Sequence, residues 1–275
     1  MKRYRHYNRG TAIVLAAFGS VIEQEMYRAL VRDVEKRFPE ADVYLSFSSR
    51  MVLKALNKEK TQFKNLPQVL ANVDLMGYKR IVVASINLFP TDEHEVLLGI
   101  VEGFNTFSMA NIRATRAIFH KTKETSLALK GLNDAITKPD QANFYIIHGV
   151  PVLDRAGLAS VSYAEGLLER LSERNYTCSL EGAYPWYAVK KSLIAKMKQE
   201  GVRKVQVVPM LLVSGNHYRK DMVEITEELS ENFEAQIVPS QSASERFNLI
   251  ELESVREIVF GNIADEMAKM GCDKM

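Results

Sequence analysis

The chain has 275 residues, 47% hydrophobic and 25% charged, enough for one large or two medium domains with a sizeable core. Its 36 basic and 34 acidic residues leave a formal charge of +2 with no basic block, which argues against a nucleic-acid binder. Cys178 and Cys272 alone provide neither a disulfide framework nor a cysteine-rich metal site, and no apolar run approaches the length that spans a bilayer.

The opening MKRYRHYNRG-TAIVLAAF resembles a short signal peptide but lacks a small-x-small cleavage site. It reads as a disordered basic lead before a first strand over residues 12–18, and a cytoplasmic protein is expected. Gly19-Ser20 turns the chain into an amphipathic helix to residue 37, with Ile22, Met26, Leu30 and Val34 at helical spacing. A strand over 42–47 follows, then a helix capped by Ser48-Ser49 and a helix over 66–76 stopped by Gly77. Residues 81–89 form a third strand and 93–104 a helix; 112–119 and 123–136 repeat the pair. The order then restarts: strand 144–147 and helix 159–172, strand 176–180 and helix 186–199. Strand 205–213 leads into a helix from Tyr218, and strand 235–238 into a long last helix over 249–270.

Alternation at this spacing means an α/β fold with parallel sheets built from right-handed crossovers. The polar stretch Thr137-Lys138-Pro139-Asp140-Gln141 is the expected junction, giving domains 1–138 and 139–275, with the last helix free to pack on the first. The halves look like copies. Gly77-Tyr78-Lys79-Arg80-Ile81 lies against Gly201-Val202-Arg203-Lys204-Val205 at an offset of 124 residues, which also sets Glu93 opposite His217.

His148, Glu181 and His217 fall at the carboxyl ends of successive strands of the second half, the edge where open α/β sheets bind ligands. Two imidazoles and a carboxylate suit a divalent transition metal with open coordination positions. Singly, each also reads as a turn or helix-start residue; three on one edge favour the metal. His6 lies in the lead, His120 follows the fourth strand, and His94 is either an exposed helix residue or part of a cleft. In the first half, Phe18, Ser20 and Phe89 line strand ends that look like a wall for a flat organic ligand, and Trp186 adds an aromatic shelf after Glu181. Core packing is the plainer reading of Phe18 and Phe89. No GxGxxG or GxxxxGK pattern occurs, nor a serine in a nucleophile elbow.

The segment from Met210 through His217 to Met222, MLLVSGNHYRKDM, resembles the LMLVAGDHAxNDM pattern of the anaerobic cobalt chelatases of cobalamin synthesis. Ile147-His148-Gly149 is similar to that family's GHG, Leu180-Glu181-Gly182-Ala183-Tyr184-Pro185 to its VEGYP, and residues 85–93 to its SLHVIPGEE. Residues 47–54 resemble its FTSxxIxxK, so the likeness runs from about Ala12 to the last helix. The resemblance implies two flavodoxin-like halves, each a parallel four-stranded sheet flanked by helices, with a tetrapyrrole cleft between them. It also implies metal ligation by His148, Glu181 and His217, and a cleft carboxylate at Glu93.

The reading is then a chelatase that inserts Co²⁺ into sirohydrochlorin or its near precursor. His148 and His217 would act as ligands and proton acceptors, and Glu93 would take a second proton or position the ring. The acidic tetrapyrrole is the expected partner, without nucleic acid or membrane and with room for a homo-oligomer. No cofactor is expected beyond the divalent metal substrate, Co²⁺. Alternatives are an Fe²⁺ or Ni²⁺ chelatase, a haem or cobalt carrier without turnover, and a metal-dependent hydrolase.

Overall fold

The apolar runs become the strands of two parallel sheets, in a computed structural model that describes residues 5–58, 63–240 and 244–272. The first sheet contains β1 (Arg9–Ala17), β2 (Ala41–Phe47), β3 (Tyr78–Ile86) and β4 (Asn111–Ala114), in the order β2-β1-β3-β4. It carries α1 (Gln24–Arg37), α2 (Arg50–Lys58), α3 (Leu66–Leu75) and α4 (Asp92–Asn105). The second contains β5 (Gln141–Ile147), β6 (Asn175–Ser179), β7 (Lys204–Met210) and β8 (Glu234–Ile237), in the order β6-β5-β7-β8. Its helices are α5 (Thr122–Ile136), α6 (Leu158–Leu171), α7 (Trp186–Gln199) and α8 (Val223–Ser230). A last helix, α9 (Glu253–Cys272), follows.

Both orders are those of a flavodoxin-like sheet, in which the crossovers reverse direction between the two central strands. The switch point lies between β1 and β3 in one sheet and between β5 and β7 in the other. Ala17 pairs with Ile86, and Ile147 with Met210. The offset between the ends of β3 and β7 (210 less 86) is therefore the 124 residues read from the sequence. β-branched and aliphatic residues on strands buried on both faces fill the cores. Val14, Ile81 and Val83 pack under Leu70, Val73, Leu97 and Val101; Phe144, Ile146 and Val207 pack under Met197, Ile225 and Leu229.

The chain divides into two compact units, Met1–Ile118 with Arg256–Met275, and Phe119–Val255. The sequence placed the junction at residues 137–141 and α5 in the first half. In the structure α5 lies in the second unit, where Tyr145 donates to Asn133 Oδ1 (3.0 Å) and the hydroxyls of Ser126 and Tyr163 meet at 2.6 Å. The last helix returns to the first unit, where Glu266 accepts from Arg113 Nε at 2.8 Å and Asp33 from Arg256 at 3.3 Å. Burial pushes the Glu266 carboxyl up, but Arg113 and Lys269 outweigh it and hold it below its ordinary value.

Three strands end earlier than their apolar runs. β4 stops at Ala114 because the Thr115 hydroxyl takes over the ladder, accepting from the Ser85 amide at 2.9 Å. β3 gives way at Asn87, and β7 at Leu211. The described part of the basic lead is anchored, with Tyr7 donating to Asp74 Oδ1 at 2.9 Å; residues 1–4 lie outside the described residues.

Candidate functional site

The two strands flanking the switch point of the second sheet each deliver one histidine. His148 is the first residue after β5. Beyond β7, residues 211–214 are held by a distant segment: Leu211 and Leu212 carbonyls accept from the Leu249 and Ile250 amides, and Ser214 bonds Asn248 and Phe247. That pinned stretch brings the chain to His217, at the head of a π-helical turn, Tyr218–Met222. Such turns are uncommon and concentrate at functional sites.

The two imidazoles face one another with Nε2 atoms 3.2 Å apart and rings nearly perpendicular, at 87°. Nδ1 of His217 meets Asp221 Oδ2 at 2.7 Å. A carboxylate at that nitrogen fixes the tautomer with the proton on Nδ1 and leaves the Nε2 lone pair toward His148. His148 Nδ1 has the Gly149 carbonyl at 3.4 Å. An ion about 2.0–2.1 Å from two imidazoles at a tetrahedral angle would space their nitrogens by about 3.3 Å. The pair therefore already has the spacing of two ligands on one ion. Asp221 was not singled out from the sequence for a role; its signal was the four-residue spacing from His217, one turn along a helix.

A reciprocal backbone contact fixes the loops after β5 and β6. The Glu181 amide donates to the His148 carbonyl at 2.9 Å, continuing the ladder beyond Ser179. Gly149 and Gly182 are both left-handed, with φ of 85° and 99°. A Cβ on Gly149 would stand 1.6 Å from the Glu181 carbonyl oxygen, and one on Gly182 2.1 Å from that of Val150. Only glycine allows both the conformation and the approach. The same loop holds Tyr184 at φ 52°, with its ring exposed.

Glu181 does not complete a trio. Among the described residues, no group of three His, Cys, Asp or Glu side chains is gathered closely enough to hold an ion. The Glu181 side chain is exposed on the loop beside the pair.

The family model for cobalt chelatase (CbiK) matches residues 11–267. The chain belongs to the cobalt chelatase (CbiK) family. It is a metal chelatase. It is 26% identical over 216 residues to the sirohydrochlorin cobaltochelatase CbiKC of Nitratidesulfovibrio vulgaris, covering 76% of this chain and 74% of that one. It is 23% identical over 217 residues to the sirohydrochlorin cobaltochelatase of Salmonella typhimurium, covering 77% and 79%. Among solved structures, SirB from Bacillus subtilis with Fe³⁺ superposes with a TM-score of 0.65 at 16% identity, over 93% of this chain and 95% of that one. CbiX, described as the terminal enzyme for siroheme biosynthesis in denitrifying bacteria, gives 0.53 at 13% identity, over 94% and 99%. These structural likenesses show that the fold is shared with chelatases.

The other residues marked in the sequence are distributed through this chelatase fold as follows. Glu93 opens α4, seven residues past the end of β3, as His217 stands seven past the end of β7. Its carboxylate is exposed and accepts from Thr91 Oγ1 at 3.1 Å. It lines a cavity of about 220 Å³ inside the first unit. His94 is buried, with Nδ1 2.8 Å from Ser85 Oγ, which resolves it as an interior residue. Phe18 is 45% exposed at the end of β1. Ser20, Phe89 and Trp186 are buried. Ser20 Oγ accepts from the Ile22 and Glu23 amides at 3.2 Å, turning the chain into α1, and Phe89 sits in the interior. Trp186 packs edge-on against Phe144, with centroids 5.4 Å apart, and donates its indole N–H to Glu228. Burial pushes the Glu228 carboxyl up, and its bonds to Lys190 and Trp186 more than reverse this. Tyr184, on the loop after β6, and Tyr187, in the first turn of α7, are exposed aromatic residues. No helix among the described residues is long and apolar enough to cross a membrane.

Proposed function

We propose that this chelatase inserts Co²⁺ into sirohydrochlorin, the substrate named for its relatives. The observation that carries the reading is the His148–His217 pair, with two Nε2 atoms at ligand spacing and one imidazole backed by a carboxylate. Insertion exchanges two pyrrole N–H protons for one divalent ion, so the chain must hold the ion, release it stepwise and accept protons. His148 and His217 hold the ion through Nε2. As ring nitrogens replace them, a freed Nε2 lone pair becomes the acceptor for one leaving proton. Asp221 keeps the other His217 nitrogen protonated, so only Nε2 is offered. Glu181 is assigned as the third ligand: its amide is bonded to the His148 backbone, and its exposed side chain is free to turn toward the ion. Glu93 is assigned to position the ring and take the second proton, and Phe18 to contact the macrocycle.

The test follows the absorption spectrum of sirohydrochlorin with Co²⁺, Fe²⁺ and Ni²⁺ in parallel, at catalytic protein concentration. Turnover with Co²⁺ is expected; a change limited to one equivalent would mean a carrier. His217→Ala should lower the insertion rate by about 10²–10⁴-fold, the usual cost of losing a positioned acid–base group. His120→Ala should behave as wild type. An undiminished rate in His217→Ala would overturn the mechanism. Glu93→Gln should reduce turnover more than Co²⁺ affinity; the opposite pattern would refute its assignment.

A further inference from the structure

The first sheet has its own switch point, and a cavity lies there. Ala16 and Ala17 at the end of β1 and Asn87 just beyond β3 form its floor, and Arg50 and Glu93 stand on its rim. Ligands of open α/β sheets bind at this position, outside the carboxyl ends of the strands where the order reverses. The volume, about 220 Å³, is below the range of about 300–1,000 Å³ typical of pockets that enclose a whole drug-sized ligand. It suits one arm or one edge of a larger molecule.

The polar groups around it are set out for an acidic, N–H-bearing ligand. Arg50, at the start of α2, is exposed and has no ion-pair partner among the described residues. The amino end of α3, at Asn65 and Leu66, adds the positive end of a helix dipole. Asn87 is held by a buried chain: its Nδ2 donates to Ser85 Oγ at 3.0 Å, and Ser85 Oγ lies 2.8 Å from His94 Nδ1. That leaves its amide oxygen as an oriented acceptor. Glu93 adds a carboxylate that a pyrrole N–H can reach as donor. A guanidinium matched to a carboxylate is the strong, planar form of such recognition.

We propose that this cavity in the first unit receives a carboxylate-bearing edge of the tetrapyrrole, with Arg50 as the counter-ion that makes the enzyme selective for acidic macrocycles. The inference rests on the tetrapyrrole reading of the substrate. In this assignment Arg50 contacts the ring periphery, takes no proton and touches no metal. Its loss therefore weakens ring binding and leaves the chemical step alone.

The test measures binding of metal-free sirohydrochlorin by fluorescence quenching, and separately Co²⁺ affinity, KM and kcat, for wild type, Arg50→Gln, Arg50→Lys and a charge control, Lys36→Gln. One charge-assisted hydrogen bond at a partly exposed site is expected to be worth about tenfold. Arg50→Gln should raise Kd for the ring and KM by that factor, with kcat and Co²⁺ affinity unchanged. Arg50→Lys should recover part of the loss, and Lys36→Gln should match wild type. A ring with its carboxylates esterified should bind wild type and Arg50→Gln equally. Unchanged ring affinity in Arg50→Gln, or an equal loss in Lys36→Gln, would overturn the proposal. Absence of cobalt insertion by wild type, with ring affinity still dependent on Arg50, would refute the cobalt reading and leave this one standing.

Discussion

Glu165 should make the second unit lose stability as the pH rises through neutrality. Its side chain lies on the buried face of α6, and neither carboxylate oxygen has a hydrogen-bond partner among the described residues. Burial first, and then the neighbouring Glu169, push its pKa from 4.5 to about 7. The raised value gives the sign. Below the unfolded value the group is protonated in both states and costs nothing. Between the two values the folded state keeps a proton that the unfolded state releases, so stability falls with rising pH and levels off above about 7. At about 1.4 kcal/mol per unit, the whole shift corresponds to roughly 3 kcal/mol, most of it lost between about pH 5 and pH 8. Glu165→Gln removes the titration while keeping the shape. Urea unfolding of both proteins at the two pH values should show the variant gaining roughly 2–3 kcal/mol relative to wild type at the higher pH. If the two proteins show parallel pH dependence, Glu165 is ionised inside the fold and the reasoning fails. Cys178, buried near it on β6, should stay unreactive, because burial and then Glu165 push its thiol upward.

Asp221→Asn should weaken Co²⁺ binding by about 10–100-fold without altering thermal unfolding, because it removes the group that orients His217; isothermal titration reads this, and unchanged affinity would exclude the orienting role. Gly149→Ala should cost about 1–3 kcal/mol in left-handed strain alone and displace the loop after β6, so both Tm and Co²⁺ affinity should fall. A Gly149→Ala variant with wild-type Co²⁺ affinity would mean that the contact between the two loops does not position the ligands.

The fold was legible because its strands are buried on both faces. Runs such as residues 205–213 have no periodicity, and their length and breakers mark them as strands of a parallel sheet. Their ends were less legible. The run after Met210 stays apolar but leaves the ladder because residues 247–250, far along the chain, bond its backbone instead. No local pattern records that partner. The histidine pair was visible as two histidines past strand ends, and the sheet order then set them on either side of one switch point. Glu181 shared the pattern but follows an outer strand, β6, so strand-end placement alone does not bring its side chain to the pair. Ser20, Phe89 and Trp186 were hard to read for another reason. An aromatic or hydroxyl residue near a strand end serves the core or a turn as readily as a ligand, and only burial separates the two.

The return of α9 to the first unit reverses the order in which the halves can be finished during synthesis. The second unit, Phe119–Val255, is one continuous stretch and has all its strands and helices once residue 255 has been made. The first unit begins earlier but waits for Arg256–Met275, which bring the partners of Arg113 and Asp33. On a ribosome, the half that is started first is therefore completed last, and its open face stays without α9 while the other half folds.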